Sequence, residues 1–429
     1  MVLVDVLEEY LDEAAFRWVQ WERALAAPDF TLAETAEREE RLLAYLEGLE
    51  DADALDTVVR PAFDSEEAPR ISAAAHALLA LGEVDEVLVR LRGAEAPVRA
   101  AILRALEVSE APGLGARLLE LLNLGDAALQ AGVLEALAFR GEAPAKVLAR
   151  FFTHDEPRAR VAALRGALPL PEDVVRRHLP ALLDSAHPGI RAAAMEAGLA
   201  SGVRGAWEAC RKAVRLPGVH ARESMVLLAL GGDEAEASLL VDALESAELR
   251  VPALWALGFS GRVAAIETCV KYLEVPEVAR LAAEAFSAMT GLRLEGAHAL
   301  PPGERPEGAP VPPEEQEGLD ANLVPGPEDA LPWPHVAAAR DWWTQNQARF
   351  TKGTRYLMGQ PFSGPVLVEA LESSPMRRRH VLARELAIRT RGQHVIPTRA
   401  FTHRQREALA QARGACAGLK STPLASTLR

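Results

Sequence analysis

The chain has 429 residues, of which 49% are hydrophobic but only 5% aromatic, and it carries a net charge of −14. Alanine and leucine therefore supply most of the apolar surface, which favours close-packed helices over sheets. Three cysteines form neither a disulfide framework nor a paired CxxC motif, so we expect a reducing, cytoplasmic environment. The N-terminus carries acids where a signal peptide needs bases, and no apolar run approaches the roughly 20 residues of a membrane span. A soluble protein without a membrane partner is predicted.

The charge is unevenly distributed along the chain. Residues 1–60 hold 16 acidic and 5 basic residues, whereas residues 376–429 hold 12 basic and 2 acidic residues. The intervening residues 61–375 carry a charge of −13, a field that repels phosphate groups. We therefore expect most charges to face solvent, and nucleic acid is not the expected partner.

The first predicted region, residues 1–60, is an acidic helical cap. Its two helical patterns read LEEYLDEAAFRWVQWERA and EREERLLAYLEGLEDA. Trp18 and Trp21 lie on the first of them, and large aromatic residues in such caps are more often core anchors than binding residues.

Residues 61–291 contain an internal repeat of about 30 residues. Each copy begins an alanine-rich helix at an anchor residue, and successive anchors are 28 to 31 residues apart. A glycine follows 11 residues after six of the eight anchors, as expected where a helix ends through a left-handed conformation. The anchors are Ile71, Arg99, Gln130, Arg160, Arg191, His220, Arg250 and Arg280.

A second helical pattern lies between each glycine and the next anchor, so each repeat is a pair of helices. A pair of this length cannot bury both of its apolar faces alone, and the pairs must stack. The sequence thus predicts an all-α, right-handed α-solenoid of about eight repeats, with helical caps at both ends.

The chain changes character after the repeats. Residues 292–334 are predicted to be a linker, since residues 301–330 contain eight prolines, eight acids and one base and can bury little. We expect 301–330 to be mobile. Residues 335–429 read as a C-terminal helical region with one repeat-like pair and a basic tail, and Trp342 and Trp343 are predicted core anchors of this cap.

The repeat core, (V/I)R-A-A-x-A-L-G, resembles HEAT-like repeats, particularly the short phycobilisome-lyase type. The flanking stretches, including FTKGTRYLMGQPF and RRRHVLARELAIRTRG, are similar to an uncharacterised proteobacterial family of HEAT-repeat proteins often encoded beside type VI secretion genes. The resemblance implies an α-solenoid and an accessory role in protein secretion. It brings no catalytic motif.

No sequence motif predicts chemistry. Deoxyhypusine hydroxylase, a HEAT-like metal enzyme, would require repeated His-Glu dipeptides, and no histidine in this chain is followed by glutamate. Phosphate loops, GxGxxG, GxSxG and paired CxxC motifs are also missing. Cys210 and Cys269 lie on apolar stretches and are predicted to be buried. We therefore expect no metal, cofactor or catalytic residue.

One column of the repeat alignment predicts a binding surface. Five residues beyond each anchor, side chains are polar and variable within otherwise apolar helices, so they should face outward into the groove lined by the second helices. Most are ordinary solvated positions, but a large aromatic in such a column is typical of an interface anchor, which singles out Trp255. The predicted groove residues are His76, Arg104, Glu135, Arg165, Glu196 and Trp255.

The basic tail provides a second candidate contact at Arg377, Arg378 and Arg379. Nucleic acid, an acidic partner protein and the chain's own acidic N-terminus would each explain this triplet. The leading prediction is a non-enzymatic protein-binding scaffold, an adaptor or accessory factor of type VI-like secretion. The alternatives are a HEAT-like lyase or hydroxylase acting on a protein-bound group, and nucleic-acid binding through the tail. The sequence does not determine the partner's identity or the oligomeric state.

Overall fold

The computed structural model describes residues 4–124, 126–215, 220–310, 326–419 and 421–429. The chain forms two compact units, each assembled from separate stretches of sequence. Unit 1 consists of Met1–Ala26, Phe30–Ala197 and Ile396–Ala408. Unit 2 consists of Ala27–Asp29, Gly198–Val395 and Leu409–Arg429. The C-terminal region 335–429 contributes to both units.

Unit 1 begins with the predicted helical cap. The cap helices are α1 (Val4–Ala24), α2 (Leu32–Glu47), α3 (Ala52–Ala54), a π-helical turn (Leu55–Val59) and α4 (Arg60–Phe63). The side chain of Thr31 caps α2 together with Glu34 in a capping box, which fixes where this helix starts. Trp18 and Trp21 are buried, which confirms them as core anchors.

The repeats of unit 1 are helix pairs, as predicted. Helices α5, α7, α9 and α11 each carry a repeat anchor in their first turn. They pack against one another in series, because alanine allows close approach. In chain order the helices are α5 (Ala68–Ala80), α6 (Val84–Gly93), α7 (Ala96–Val108), α8 (Leu114–Leu121), α9 (Ala127–Arg140), α10 (Ala145–Leu148), α11 (Pro157–Gly166), α12 (Glu172–Arg177), α13 (Leu179–Leu183) and α14 (Pro188–Ala200), which ends in unit 2.

Unit 2 continues the same alternation. Its anchor helices α16, α18 and α20 pack in series, and α15, α17 and α19 alternate with them along the chain. The helices are α15 (Arg204–Ala213), α16 (His220–Gly231), α17 (Glu234–Asp242), α18 (Ala247–Ser260), α19 (Val263–Tyr272) and α20 (Ala279–Thr290). All eight predicted anchors lie in the second helix of their repeat, so the predicted all-α solenoid is confirmed.

The C-terminal elements of unit 2 include a short hairpin that the sequence analysis did not predict. They are α21 (Val336–Asn346), β1 (Tyr356–Leu357), β2 (Gln360–Pro361), α22 (Gly364–Ser373), α23 (Met376–Arg389) and α24 (Thr402–Cys416), whose first residues belong to unit 1. Trp343 is buried, and the rings of Trp342 and Trp343 both meet Phe286 of α20 edge-on. These contacts cover the Phe286 side chain of α20, as expected of a cap.

The hairpin docks on the ends of two anchor helices. The Tyr356 amide donates to the Gly261 carbonyl (2.8 Å), and the Met358 amide donates to the Ala288 carbonyl (2.8 Å). Gly261 has φ +63°, and a Cβ at this position would overlap the Tyr356 carbonyl oxygen. Glycine is therefore required here both for the left-handed turn and for the close approach of the hairpin.

The predicted linker 292–334 is docked at both of its ends. The Leu300 amide donates to the Trp333 carbonyl (2.8 Å), and the His335 amide donates to the His298 carbonyl (2.9 Å). Arg280 of α20 binds the Asp329 carboxylate at 2.6 Å. The ends of this segment therefore pack on unit 2, because backbone pairing and an ion pair supply what its composition lacks. Residues 311–325, the centre of the predicted mobile segment, lie outside the described residues.

Across the stretches that the structure describes, none of the helices is both long enough and apolar enough to cross a membrane.

Candidate binding grooves

The predicted groove column divides into covered and open positions. Trp255 is 6% exposed and Arg104 is 9% exposed, so the prediction that they face solvent is wrong. Later segments of the same chain cover both side chains. His76, Glu135 and Glu196 are partly exposed, and Arg165 is exposed.

In unit 1 the covered positions belong to a site that we call the N-terminal groove, formed by Trp21, Glu39, His76 and Arg104. These four side chains come from α1, α2, α5 and α7, and they hold the segment 396–408. The ring of Phe401 lies 4.8 Å from that of Trp21 and 5.8 Å from that of His76, measured between centroids.

Glu39 is the polar centre of the N-terminal groove. Its carboxylate accepts hydrogen bonds from the Thr402 amide (2.7 Å), the Thr402 hydroxyl (2.8 Å) and the Trp21 indole (2.9 Å). Burial raises the pKa of this carboxyl, whereas the Thr402 and Trp21 donors oppose the rise. A buried carboxylate is thus held in place chiefly by donors from the bound segment.

Arg104 fixes the backbone on the other side of Phe401. Its Nη2 donates to the Arg399 carbonyl at 2.6 Å, and its Nη1 donates to Glu107 at 2.9 Å. Its Nε also pairs with Glu22. The guanidinium therefore bridges scaffold carboxylates and a carbonyl of the bound segment.

His76 lies between two aromatic rings. The Trp18 centroid is 6.0 Å away on one side, and Phe401 lies on the other. Burial lowers the pKa of His76 to about 4, and Glu110 only partly opposes this shift. The imidazole is therefore neutral at neutral pH, and its buried Nδ1 has no hydrogen-bond partner among the described residues.

In unit 2 the corresponding site, the C-terminal groove, is formed by Trp255, the Gly258 carbonyl and Glu284. It holds α23. Arg377 and Arg378 lie over the Trp255 ring, with guanidinium carbons 4.4 and 5.3 Å from its centroid. Arg378 donates to the Gly258 carbonyl at 2.7 Å, and Arg377 lies 2.9 Å from the Glu284 carboxylate. Burial raises the pKa of Glu284, and both arginines oppose that rise.

The arginine triplet is not a surface patch. Arg377, Arg378 and Arg379 are 8%, 4% and 0% exposed, so the prediction that they contact an external partner is wrong. Arg378 satisfies a carbonyl near the end of α18, where free carbonyls and the helix dipole favour a cation. Arg379 donates to the Leu371 carbonyl at 2.5 Å. Arg377 pairs with Glu284 and Glu328, and Arg378 pairs with Glu284, so these acids come from unit 2 and not from the acidic N-terminal region.

Unit 2 also contains a buried cluster of charges that the sequence analysis missed. The Glu385 carboxylate binds Arg355 (2.9 Å) and Arg389 (2.7 Å), and the two cations lower its pKa against the effect of burial. Arg355 further donates to the Leu230 and Phe259 carbonyls, near the ends of α16 and α18, at 3.1 and 2.9 Å. The spacing of Glu385 and Arg389 on one helix face was the available signal.

An open part of the column remains in unit 1, on α9 and α11. Glu135 forms an ion pair with Arg158 at 2.6 Å, and Arg165 is exposed nearby in sequence on the same helix as Arg158. Neither α9 nor α11 provides a residue of the N-terminal groove. This open stretch offers one carboxylate and two guanidinium groups to solvent.

Within the part of the chain that the structure describes, no group of three or more His, Cys, Asp or Glu side chains could hold a metal ion. Cys210, Cys269 and Cys416 are free and buried. Burial raises the pKa of Cys269 to about 12 and that of Cys210 further, so both thiols stay protonated. Their behaviour is that of small core residues.

No protein-family model matches the chain, and no curated protein matches its sequence. Solved structures with similar folds include YibA of Escherichia coli, at 14% identity and a TM-score of 0.39, covering 57% of this chain and 96% of YibA. Human deoxyhypusine hydroxylase, in complex with glycerol, has 19% identity and a TM-score of 0.25, covering 66% of this chain and 95% of its own. The series of stacked helix pairs itself establishes the fold of this chain.

Proposed function

We propose that this helical-repeat protein is a non-enzymatic protein-binding scaffold. The proposal is supported by the contacts that the groove column makes with other segments of the chain. His76 and Arg104 in one unit, and Trp255 in the other, contact polypeptide segments that lie more than a hundred residues away in sequence. The column supplies aromatic faces and charge-assisted hydrogen bonds, the interactions by which solenoid proteins hold extended or helical partners.

The open stretch of the column is the proposed site for an external partner. Arg165, with Arg158 and Glu135, can make hydrogen bonds and ion pairs with a polar or mixed-charge surface. Charge-assisted hydrogen bonds from Arg104 and Arg378 help to hold the internal segments, and Arg158 and Arg165 can make the same kind of hydrogen bond with an external partner.

A narrower role remains a proposal that rests on the resemblance of the flanking segments alone. In that role the scaffold is an adaptor or accessory factor of type VI-like secretion in the bacterial cytoplasm. No observation favours the lyase or hydroxylase alternative. The nucleic-acid alternative loses its motivating residues, because Arg377–Arg379 are buried.

Site-specific photocrosslinking in the native host tests the scaffold proposal. A photoreactive amino acid at Arg165 should give a discrete protein adduct, whereas the same probe at Glu120, an exposed position on α8 outside the column, should not. The purified partner should then bind Arg165→Glu at least about tenfold more weakly than the unmodified chain. Equal adducts from both positions, or none from Arg165, would contradict the proposal.

A further inference from the structure

We infer that the N-terminal groove is a peptide-binding site for a segment in which an aromatic residue immediately precedes a serine or threonine at the start of a helix. In the structure, residues 396–408 of the same chain occupy it. This inference rests on the proposed scaffold function and names the class of partner for one of its sites.

The N-terminal groove contacts two consecutive residues of the occupant, Phe401 and Thr402. Phe401 inserts its ring between Trp21 and His76, and Thr402 gives both of its donors to Glu39. Phe401 immediately precedes α24, and its carbonyl accepts the Arg404 amide of the first turn at 3.1 Å. The groove thus recognises an aromatic side chain together with the free amide end of a helix, where the helix dipole favours a carboxylate.

Burying the Glu39 carboxylate costs free energy. A carboxylate that is 2% exposed requires hydrogen-bond donors, and of the three donors described, the two strongest by distance come from Thr402. An apolar residue at position 39 would seal the cap without this requirement. The carboxylate therefore selects the ligand by its donors, rather than adding to the packing of the cap.

The occupant is an extended stretch that is partly buried. No helix forms between Gln393 and Ala400, where Gln393, Val395 and Arg399 are exposed but Ile396, Thr398 and Ala400 are buried. Release of the segment from the groove breaks the contacts of Phe401, Thr402 and the Arg399 carbonyl and uncovers these buried residues, whereas the helices that form the groove also pack on one another. A segment whose release leaves its neighbours paired can open below the global unfolding free energy.

The tethered segment competes strongly with any external ligand. A segment in the same chain acts at an effective concentration on the order of millimolar, so the groove of the unmodified protein binds an added peptide weakly. A variant that weakens the internal segment, with the groove unchanged, should reveal the site.

Thr402→Pro is that variant. Proline removes the amide and hydroxyl donors to Glu39 in one step, yet it is well tolerated at the first position of a helix. A fluorescent peptide with the sequence of residues 396–408 is added to the full chain, and binding is followed by anisotropy. Thr402→Pro should bind the peptide at least about tenfold more tightly than the unmodified chain does.

Two controls define the chemistry. The same peptide with Phe401→Ala should not bind Thr402→Pro, and Glu39→Gln combined with Thr402→Pro should bind the normal peptide at least about tenfold more weakly than Thr402→Pro alone. Hydrogen exchange should show faster exchange in residues 400–408 of Thr402→Pro, with α5 and α7 still protected.

The inference is overturned if Thr402→Pro binds the peptide no better than the unmodified chain, or if α5 and α7 lose protection with the segment. In the second case residues 396–408 are a fixed part of the cap. Either result leaves crosslinking at Arg165 unaffected, so it is distinguishable from failure of the scaffold proposal.

Discussion

The N-terminal and C-terminal grooves both include side chains from the same repeat position, but the segments that occupy them differ in charge. In both, the scaffold supplies a buried carboxylate and an aromatic face, and a later segment of the chain supplies the partners of that carboxylate. Glu39 accepts hydrogen bonds from the neutral amide and hydroxyl of Thr402, whereas Glu284 forms ion pairs with Arg377 (2.9 Å) and Arg378 (3.9 Å). Release of the first occupant breaks hydrogen bonds from neutral donors to one carboxylate, whereas release of the second breaks ion pairs between buried charges, which cost more to separate. The first groove is therefore suited to exchange and the second to permanent packing.

The largest expected effect comes from breaking the charge cluster of unit 2. Glu385→Ala leaves Arg355 and Arg389 buried without their shared carboxylate, which should lower the free energy of unfolding by about 3–5 kcal/mol. Chemical denaturation monitored by circular dichroism gives the value. Glu372→Ala, which breaks the exposed pair with Arg413 in the same unit, is the control and should cost no more than about 1 kcal/mol. Equal losses of unfolding free energy from the two substitutions would contradict the claim that α23 is permanently packed in the C-terminal groove.

The next effect concerns Trp255, which the sequence predicted to face outward. Its ring packs edge-on against Phe259 at 4.9 Å and lies under two arginines, so Trp255→Ala should cost about 3–5 kcal/mol. Phe16→Ala is the matched aromatic control, since Phe16 is 57% exposed and its truncation should change stability by less than about 0.5 kcal/mol. A near-neutral Trp255→Ala would show that α23 does not cover the groove in solution.

Trp255 also shows how far the sequence could predict this molecule. The regular anchor spacing and the glycine stops are local features, and they led to the correct helix pairs. The same alignment placed Trp255, Arg104 and His76 in the second helices of their repeats, and the structure has them in α18, α7 and α5. Their exposure was wrong for Trp255 and Arg104, because it depends on which distant segment of the chain returns to cover each position.

The prediction for the basic tail was wrong for a related reason. A run of arginines is usually solvated, so the pattern of Arg377–Arg379 gave no sign of burial. The carbonyl at Gly258 and the carboxylate of Glu284 bring these cations into the core, and both partners lie about a hundred residues away in sequence. Hydrophobic periodicity reports which face of a helix is apolar, but it does not report which helix ends will be capped by a remote side chain.

The smallest predicted effect is a pH dependence that belongs to the N-terminal groove. The pKa of His76 is about 4 in the folded chain and 6.5 when unperturbed, so the unfolded state binds the proton more strongly. Stability contributed by the neutral imidazole is complete above pH 6.5 and is lost as the pH falls towards 4. Between pH 7 and pH 5 this loss is at most about 2 kcal/mol.

Glu39 acts in the opposite direction, because its raised pKa favours the folded state as the pH falls. The measurement must therefore compare the unmodified chain with His76→Gln, in which Glu39 is retained and its contribution cancels. Urea unfolding at pH 7 and pH 5 should show that the unmodified chain loses up to about 2 kcal/mol more than the variant. Because a released segment leaves His76 in water, residues 400–408 should also exchange faster at pH 5 in the unmodified chain than in His76→Gln. If both proteins lose the same unfolding free energy, Phe401 does not shield His76 from water. His76 then does not make the N-terminal groove pH-dependent.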